Sequence, residues 1–150
     1  MINKIKNKII SATKQMTKMG FNIGSEGNIS CRYGHKIFIT PSAINNLELT
    51  KSNISEVDNE GKVKNGIKPS SEIFMHLYIY KKYPEIHAIV HCHSNWATIL
   101  SCFRTKIPSF HYMVAEFGGN DIKCAKYATF GTKELAKNII QVIKNRNACL

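Results

Sequence analysis

Two short apolar runs, Ile29–Tyr33 and Lys36–Thr40, are joined through Gly34, and this spacing restricts the fold more than any other feature of the chain. Parallel strands need a crossover of a dozen residues or more, so runs this close pair only as an antiparallel hairpin. A hairpin needs a cover for its apolar face, and the residues before it supply one. Ile2, Ile5, Ile9, Ala12, Met16 and Met19 recur at spacings of three and four, the stripe of an amphipathic helix, with Gly20 placed to end it.

The same alternation of element types continues. Ile54–Val57 is a strand candidate closed by Asp58-Asn59-Glu60-Gly61. Pro69-Ser70-Ser71-Glu72 reads as a helix start, with serine as cap and an acid in the first turn. That helix is expected to end near Lys82, because Tyr83 precedes Pro84 and is biased out of the helical region. Ala88–His93 is a compact apolar strand, Asn95–Phe103 a helix, and His111–Ala115 a strand broken by Gly118-Gly119. Thr132 caps a last helix carrying Leu135, Ile139, Ile140 and Ile143. No repeat or linker interrupts the series, and 150 residues with 43% hydrophobic content suit one domain.

Composition removes several function classes. No apolar run approaches the roughly 20 residues that span a membrane. The 21 Lys and Arg against 10 Asp and Glu give a net charge of +11, but only three are arginines and the lysines are scattered. Without an arginine-rich stretch interleaved with aromatics, no nucleic-acid partner is expected. Five cysteines without a CxxC pair suggest free, mostly buried thiols in a reducing compartment, and with no secretory leader the expected location is cytoplasmic.

His91-Cys92-His93 is the strongest local feature. On a strand, residues i and i+2 share a face, so two imidazoles would stand side by side while Cys92 turns to the buried side with Val90. Two neutral imidazoles are half of a tetrahedral zinc site, or else two polar residues closing a strand. Glu72 is either a carboxylate offsetting a helix dipole or a catalytic acid. Ser70 and Ser71, at the same helix start, either cap it or bind an anion there. Gly27-Asn28 and Thr40-Pro41-Ser42-Ala43 are turns of small and polar residues, each suited to close approach by an anion.

Taken in order, these segments resemble one family. GNISCRY (27–33), ITPS (39–42), KPSSEIFMHLYIY (68–80), IVHCH (89–93), IPSFHYMVAEFGGN (107–120) and CAKYATFGTKEL (124–135) are similar to stretches of the class II aldolase and adducin family, in its fuculose-phosphate-cleaving branch. The resemblance implies an α/β fold: three layers, α/β/α, around a mainly antiparallel sheet. It implies Zn2+ or another divalent metal held by His91, His93 and, at rest, Glu72, with Glu72 also the catalytic acid/base. It places a substrate phosphate among Gly27, Asn28, Ser42, Ala43, Ser70 and Ser71, and gives Tyr112 a part in proton transfer.

The implied reaction splits an L-ketose 1-phosphate into dihydroxyacetone phosphate and an aldehyde, the metal acting as Lewis acid on the enediolate. The implied partners are a sugar phosphate and copies of the same chain, as a homotetramer. Sugar-phosphate epimerases and dehydratases share these motifs, and adducin-like members of the family lack the chemistry. Ala43 stands where the family has glycine. The family's third zinc histidine and a helical region lie beyond a segment like Asn147–Leu150, so the chain reads as cut short, its activity alone in question. His35, His76, His87 and His111 are expected to be structural.

Overall fold

The structure, a computed structural model, describes residues 1–150. Four helices and four strands follow in the order α1 (Ile2–Lys18), β1 (Asn28–Tyr33), β2 (Lys36–Ile39), β3 (Ser55–Asp58), α2 (Ile73–Lys82), β4 (Ala88–His91), α3 (Asn95–Cys102) and α4 (Lys133–Ile143). The expected hairpin forms, with Ser30 opposite Ile39 and Tyr33 opposite Lys36. The sheet order is β3-β2-β1-β4 and every pairing is antiparallel. β1 therefore has a neighbour on each side, and Asn28 lies directly opposite His91.

Alternation along β2 divides the core. Phe38 joins Ile9, Ile29 and Ile54 under α1, while Ile37 joins Val57, Leu77 and Tyr80 under α2. α4 then packs on α2 through Met75, Ile79 and Ile139. The result is the expected α/β arrangement, with helices on both faces of the sheet. Thr132 caps α4 as expected, its hydroxyl accepting from the Leu135 N–H at 3.2 Å. The connection from α2 to β4 is held by one side chain. The Arg32 guanidinium, stacked 4.8 Å from the Tyr80 ring centre, donates to the carbonyls of Tyr80 (2.8 Å), Tyr83 (3.4 Å), Pro84 and Ile86 (2.6 Å).

Four local expectations are corrected. α2 begins after Glu72, which is itself the N-cap and makes no side-chain cap bond. Ser70 lies two residues earlier, where its hydroxyl still accepts from the Glu72 N–H at 3.3 Å while its own N–H is tied to the Thr40 carbonyl at 3.0 Å. β4 stops at His91, because the His93 N–H turns away to Asn22 Oδ1 (3.0 Å) and the Phe21 carbonyl (2.9 Å) instead of a strand. Residues 111–115 form no strand: Tyr112–Phe117 is a 3-10 turn, started by His111 Nδ1 accepting from the Met113 N–H and ended by Gly118 at φ 85°. Finally, Cys92 and Cys102 are exposed and the other three thiols only half-buried, though all five are free. Val90 points to the face of β4 opposite Ile89 and stays 57% exposed, and Cys92 lies beyond the end of β4. No helix is long and apolar enough to cross a membrane.

Candidate active site

The three turns singled out above as suited to an anion come together because backbone hydrogen bonds stitch them. Gly27-Asn28 opens β1, where Gly27 has φ 66° and lies so close to Asn22 that an added Cβ would sit 2.4 Å from its amide nitrogen. Glycine is required there twice, by conformation and by space. At the far end of β2 the Ser42 N–H donates to the Lys68 carbonyl at 3.1 Å, and Pro41 bridges Pro69 in an antiparallel contact. The chain before α2 is thereby laid along the end of β2, with Ser70 buried and Ser71 exposed. Ala43 occupies the left-handed region at φ 60°, which accounts for a glycine preference at this turn.

Glu72 follows these serines. One carboxylate oxygen accepts from the Gly131 N–H at 3.2 Å and the other lies 3.4 Å from His91 Nδ1. Burial raises the Glu72 pKa, with the Gly131 N–H and His93 opposing that shift. His91 is neutral at neutral pH, because burial, and then His93, push it down to about 4. The two imidazoles remain neighbours although His93 lies beyond β4, with ring centres 4.8 Å apart. Asn28, across the strand pair, places its amide nitrogen 3.2 Å from His91 Nδ1. Glu72, His91 and His93 all line one cavity of about 1100 Å3, which continues over Met75, Ile79 and Ile139 between α2, β4 and α4.

Two imidazoles and a carboxylate are a donor set that suits zinc or a similar divalent ion, and neutral rings are the form that ligates. The chemistry of these side chains fits the metal expected of them. They are not gathered as a closed site, for no three His, Cys, Asp or Glu side chains converge on one point. Tyr112 is placed apart. It is 76% exposed and lines a separate shallow pocket with Phe110 and Asn120, not the Glu72 cavity. Two residues that hold the site, Gly131 and Asn22, escaped sequence reasoning, and a third, His76, is structural as expected. Gly131 at φ 72° abuts the Ser71 carbonyl and anchors Glu72; Asn22 clips His93 to the Gly27 turn; His76 lies behind Asn28. Only Gly131 carried a signal, as the glycine of a loop just before a helix cap.

Residues 7–150 match the sequence profile of the Class II Aldolase and Adducin N-terminal domain. The chain belongs to the class II aldolase and adducin family. The L-fuculose phosphate aldolase of Escherichia coli is 43% identical over 148 residues, covering 99% of this chain and 69% of that protein. A 5-methylthioribulose-1-phosphate/5-deoxyribulose-1-phosphate aldolase of Rhodospirillum rubrum is 42% identical over 146 residues, 97% of this chain and 66% of the relative. A solved L-fuculose 1-phosphate aldolase superposes with a TM-score of 0.94 at 39% identity, covering 98% of this chain and 70% of its own. This class II aldolase is thus an enzyme of the lyase class, with the three-layer fold that the motifs implied.

Proposed function

We propose that the chain cleaves an L-ketose 1-phosphate resembling L-fuculose 1-phosphate into dihydroxyacetone phosphate and a short aldehyde. The observation that carries this reading is the adjacency of two unlike devices. Three stitched turns suit a phosphate, and the Glu72–His91 pair, 3.4 Å apart, stands at their edge. The hydroxyls of Ser42, Ser70 and Ser71 and the turn backbone at Gly27, Asn28, Ala43 and Ser71 hold the phosphate, the Ser42 and Ser70 N–H groups being taken up by the stitching itself. That fixes the position of the reacting carbons through a part of the substrate that does not react.

His91, His93 and, at rest, Glu72 would hold a divalent ion, zinc by chemical preference, and when bound it would supply Lewis acidity toward the negative charge that develops as the bond breaks. The Glu72 carboxylate carries the proton. Loss of the proton from the substrate's C4 hydroxyl lets the C3–C4 pair move toward the C2 carbonyl, and proton return at C3 completes dihydroxyacetone phosphate. A carboxylate with a raised pKa is suited to both directions of transfer.

Tyr112 acts in the same reaction from a second copy of the chain. Its exposure and its separation from the Glu72 cavity support this, as do other bare aromatics, among them Trp96 (81% exposed) and Phe103 (75%). Such surfaces are those of an oligomer, a homotetramer in this reading. Purified protein supplied with zinc is expected to release dihydroxyacetone phosphate from L-fuculose 1-phosphate and to run larger than a monomer. The two relatives at 43% and 42% identity act on different ketose 1-phosphates by name, so 5-deoxyribulose 1-phosphate belongs in the same assay. Cleavage of neither compound, or an epimerised sugar phosphate as product, refutes the proposal.

A further inference from the structure

Behind His91 runs a buried line of hydrogen bonds, of which the reaction above draws on Asn28 alone. Tyr80 Oη lies 2.7 Å from Ser30 Oγ, and Ser30 Oγ lies 2.7 Å from His76 Nδ1. His76 Nε2 meets Asn28 Oδ1 at 2.5 Å, and Asn28 Nδ2 meets His91 Nδ1 at 3.2 Å. Ser30 and His76 are 0% exposed, Tyr80 3% and Asn28 4%. Water therefore does not enter the line, and its members have only one another to satisfy.

We propose that His76 is a positioning residue for His91, fixing through Asn28 which ring nitrogen of His91 carries the proton. The direction of the line follows from its closed end. The Tyr80 hydroxyl has Ser30 as its one partner, so its hydrogen is donated to Ser30 Oγ. The single hydrogen of Ser30 then goes to His76 Nδ1. A neutral His76 keeps its proton on Nε2 and donates it to Asn28 Oδ1. Asn28 is left with its amide N–H facing His91 Nδ1, which must accept. The neutral His91 ring therefore carries its own proton on Nε2.

Reversal would strand the Tyr80 hydroxyl hydrogen in the core, a penalty that favours the stated tautomer by about tenfold or more. Glu72 competes for the same nitrogen of His91, but at 3.4 Å it lies outside the roughly 2.7–3.2 Å range of a good N–H···O bond. The consequence concerns ligation, and so rests on His91 being a metal ligand. To ligate through Nε2, His91 must move its proton to Nδ1, turn the Asn28 amide and reverse the line as far as Tyr80. To ligate through Nδ1, it must expel the Asn28 amide. His76 thereby sets the terms on which His91 gives up a lone pair.

The test needs neither metal nor substrate, so its failure and the failure of the aldolase reading are distinguishable. Long-range proton–nitrogen correlation spectra of nitrogen-15 histidine-labelled protein, chelator-treated at about pH 8, report each ring's tautomer. The wild-type chain is expected to show His91 protonated on Nε2 in about tenfold excess or more. His76→Leu leaves Asn28 free to turn, and that excess is expected to fall toward parity. Ser30→Ala cuts the line one link earlier and is expected to do the same; it stands in if His76→Leu fails to fold. A wild-type His91 protonated on Nδ1, or a tautomer ratio unchanged in a folded variant, overturns the proposal.

Discussion

Acid should weaken this protein through His76 before it titrates most of the carboxylates. Burial, and then the neighbouring His91, hold His76 down to about 3 from an ordinary 6.5. Between these values the unfolded chain binds a proton that the native chain refuses. Its stability contribution is therefore complete above pH 6.5 and is lost as pH falls toward 3. At about 1.4 kcal/mol per pH unit, the loss from this one ring between pH 7.5 and pH 4.5 comes to about 3 kcal/mol. Total stability of a domain is about 5–15 kcal/mol, so the share is large. Urea unfolding at those two pH values, run on the wild-type chain and on His76→Gln, isolates the term. Glutamine can keep an amide donor and a carbonyl acceptor between Asn28 and Ser30 but does not titrate. The wild type should lose about 3 kcal/mol more than the variant across that interval. Parallel losses, equal within about 0.5 kcal/mol, would refute the argument.

Three further outcomes follow from single sites. Ala43→Gly should stabilise the chain by about 0.5–1 kcal/mol, the relief of a left-handed alanine less the extra entropy of glycine, read as a higher urea midpoint at unchanged slope. Glu72→Gln should lower kcat by about a hundredfold or more without lowering Tm at neutral pH. The fold raises the Glu72 pKa and so disfavours its charge, while an amide oxygen can still accept from Gly131. Arg32→Lys should cost about 2–3 kcal/mol in urea unfolding, because one ammonium cannot fan out to four carbonyls and stack on Tyr80.

Most of the framework was legible because it rests on local rules. The Gly34 joint imposed the hairpin, the three-and-four stripe from Ile2 to Met19 imposed α1, and Thr132 announced α4. Errors arose where a distant partner decided the outcome. His93 has the alternation of a strand residue, yet Asn22, 71 positions away, takes its N–H. Ser70 keeps the chemistry of a cap through the Glu72 N–H, yet the Thr40 carbonyl holds its backbone and the helix starts only after Glu72. His111–Ala115 has strand composition but no strand beside it, so a side-chain cap and Gly118 wind it into a turn. In the site, the motif residues were visible and the residues that hold them were not. Nothing in the sequence around His76 or Asn22 distinguishes them from residues of an ordinary core or loop, because their roles exist only after β1, α2 and β4 meet.

The grip of Arg32 on the α2–β4 connection has a consequence for how that stretch can change over time. Every oxygen it holds belongs to the main chain, which all twenty amino acids supply alike. The Arg32 grip therefore leaves Pro84 and Glu85 free to drift in identity, while Tyr83 and Ile86 are held by their packing on the core and the arginine by its reach from another strand. A saturation library should find positions 84 and 85 permissive and position 32 nearly intolerant, an asymmetry invisible to anyone judging importance by which side chains look polar.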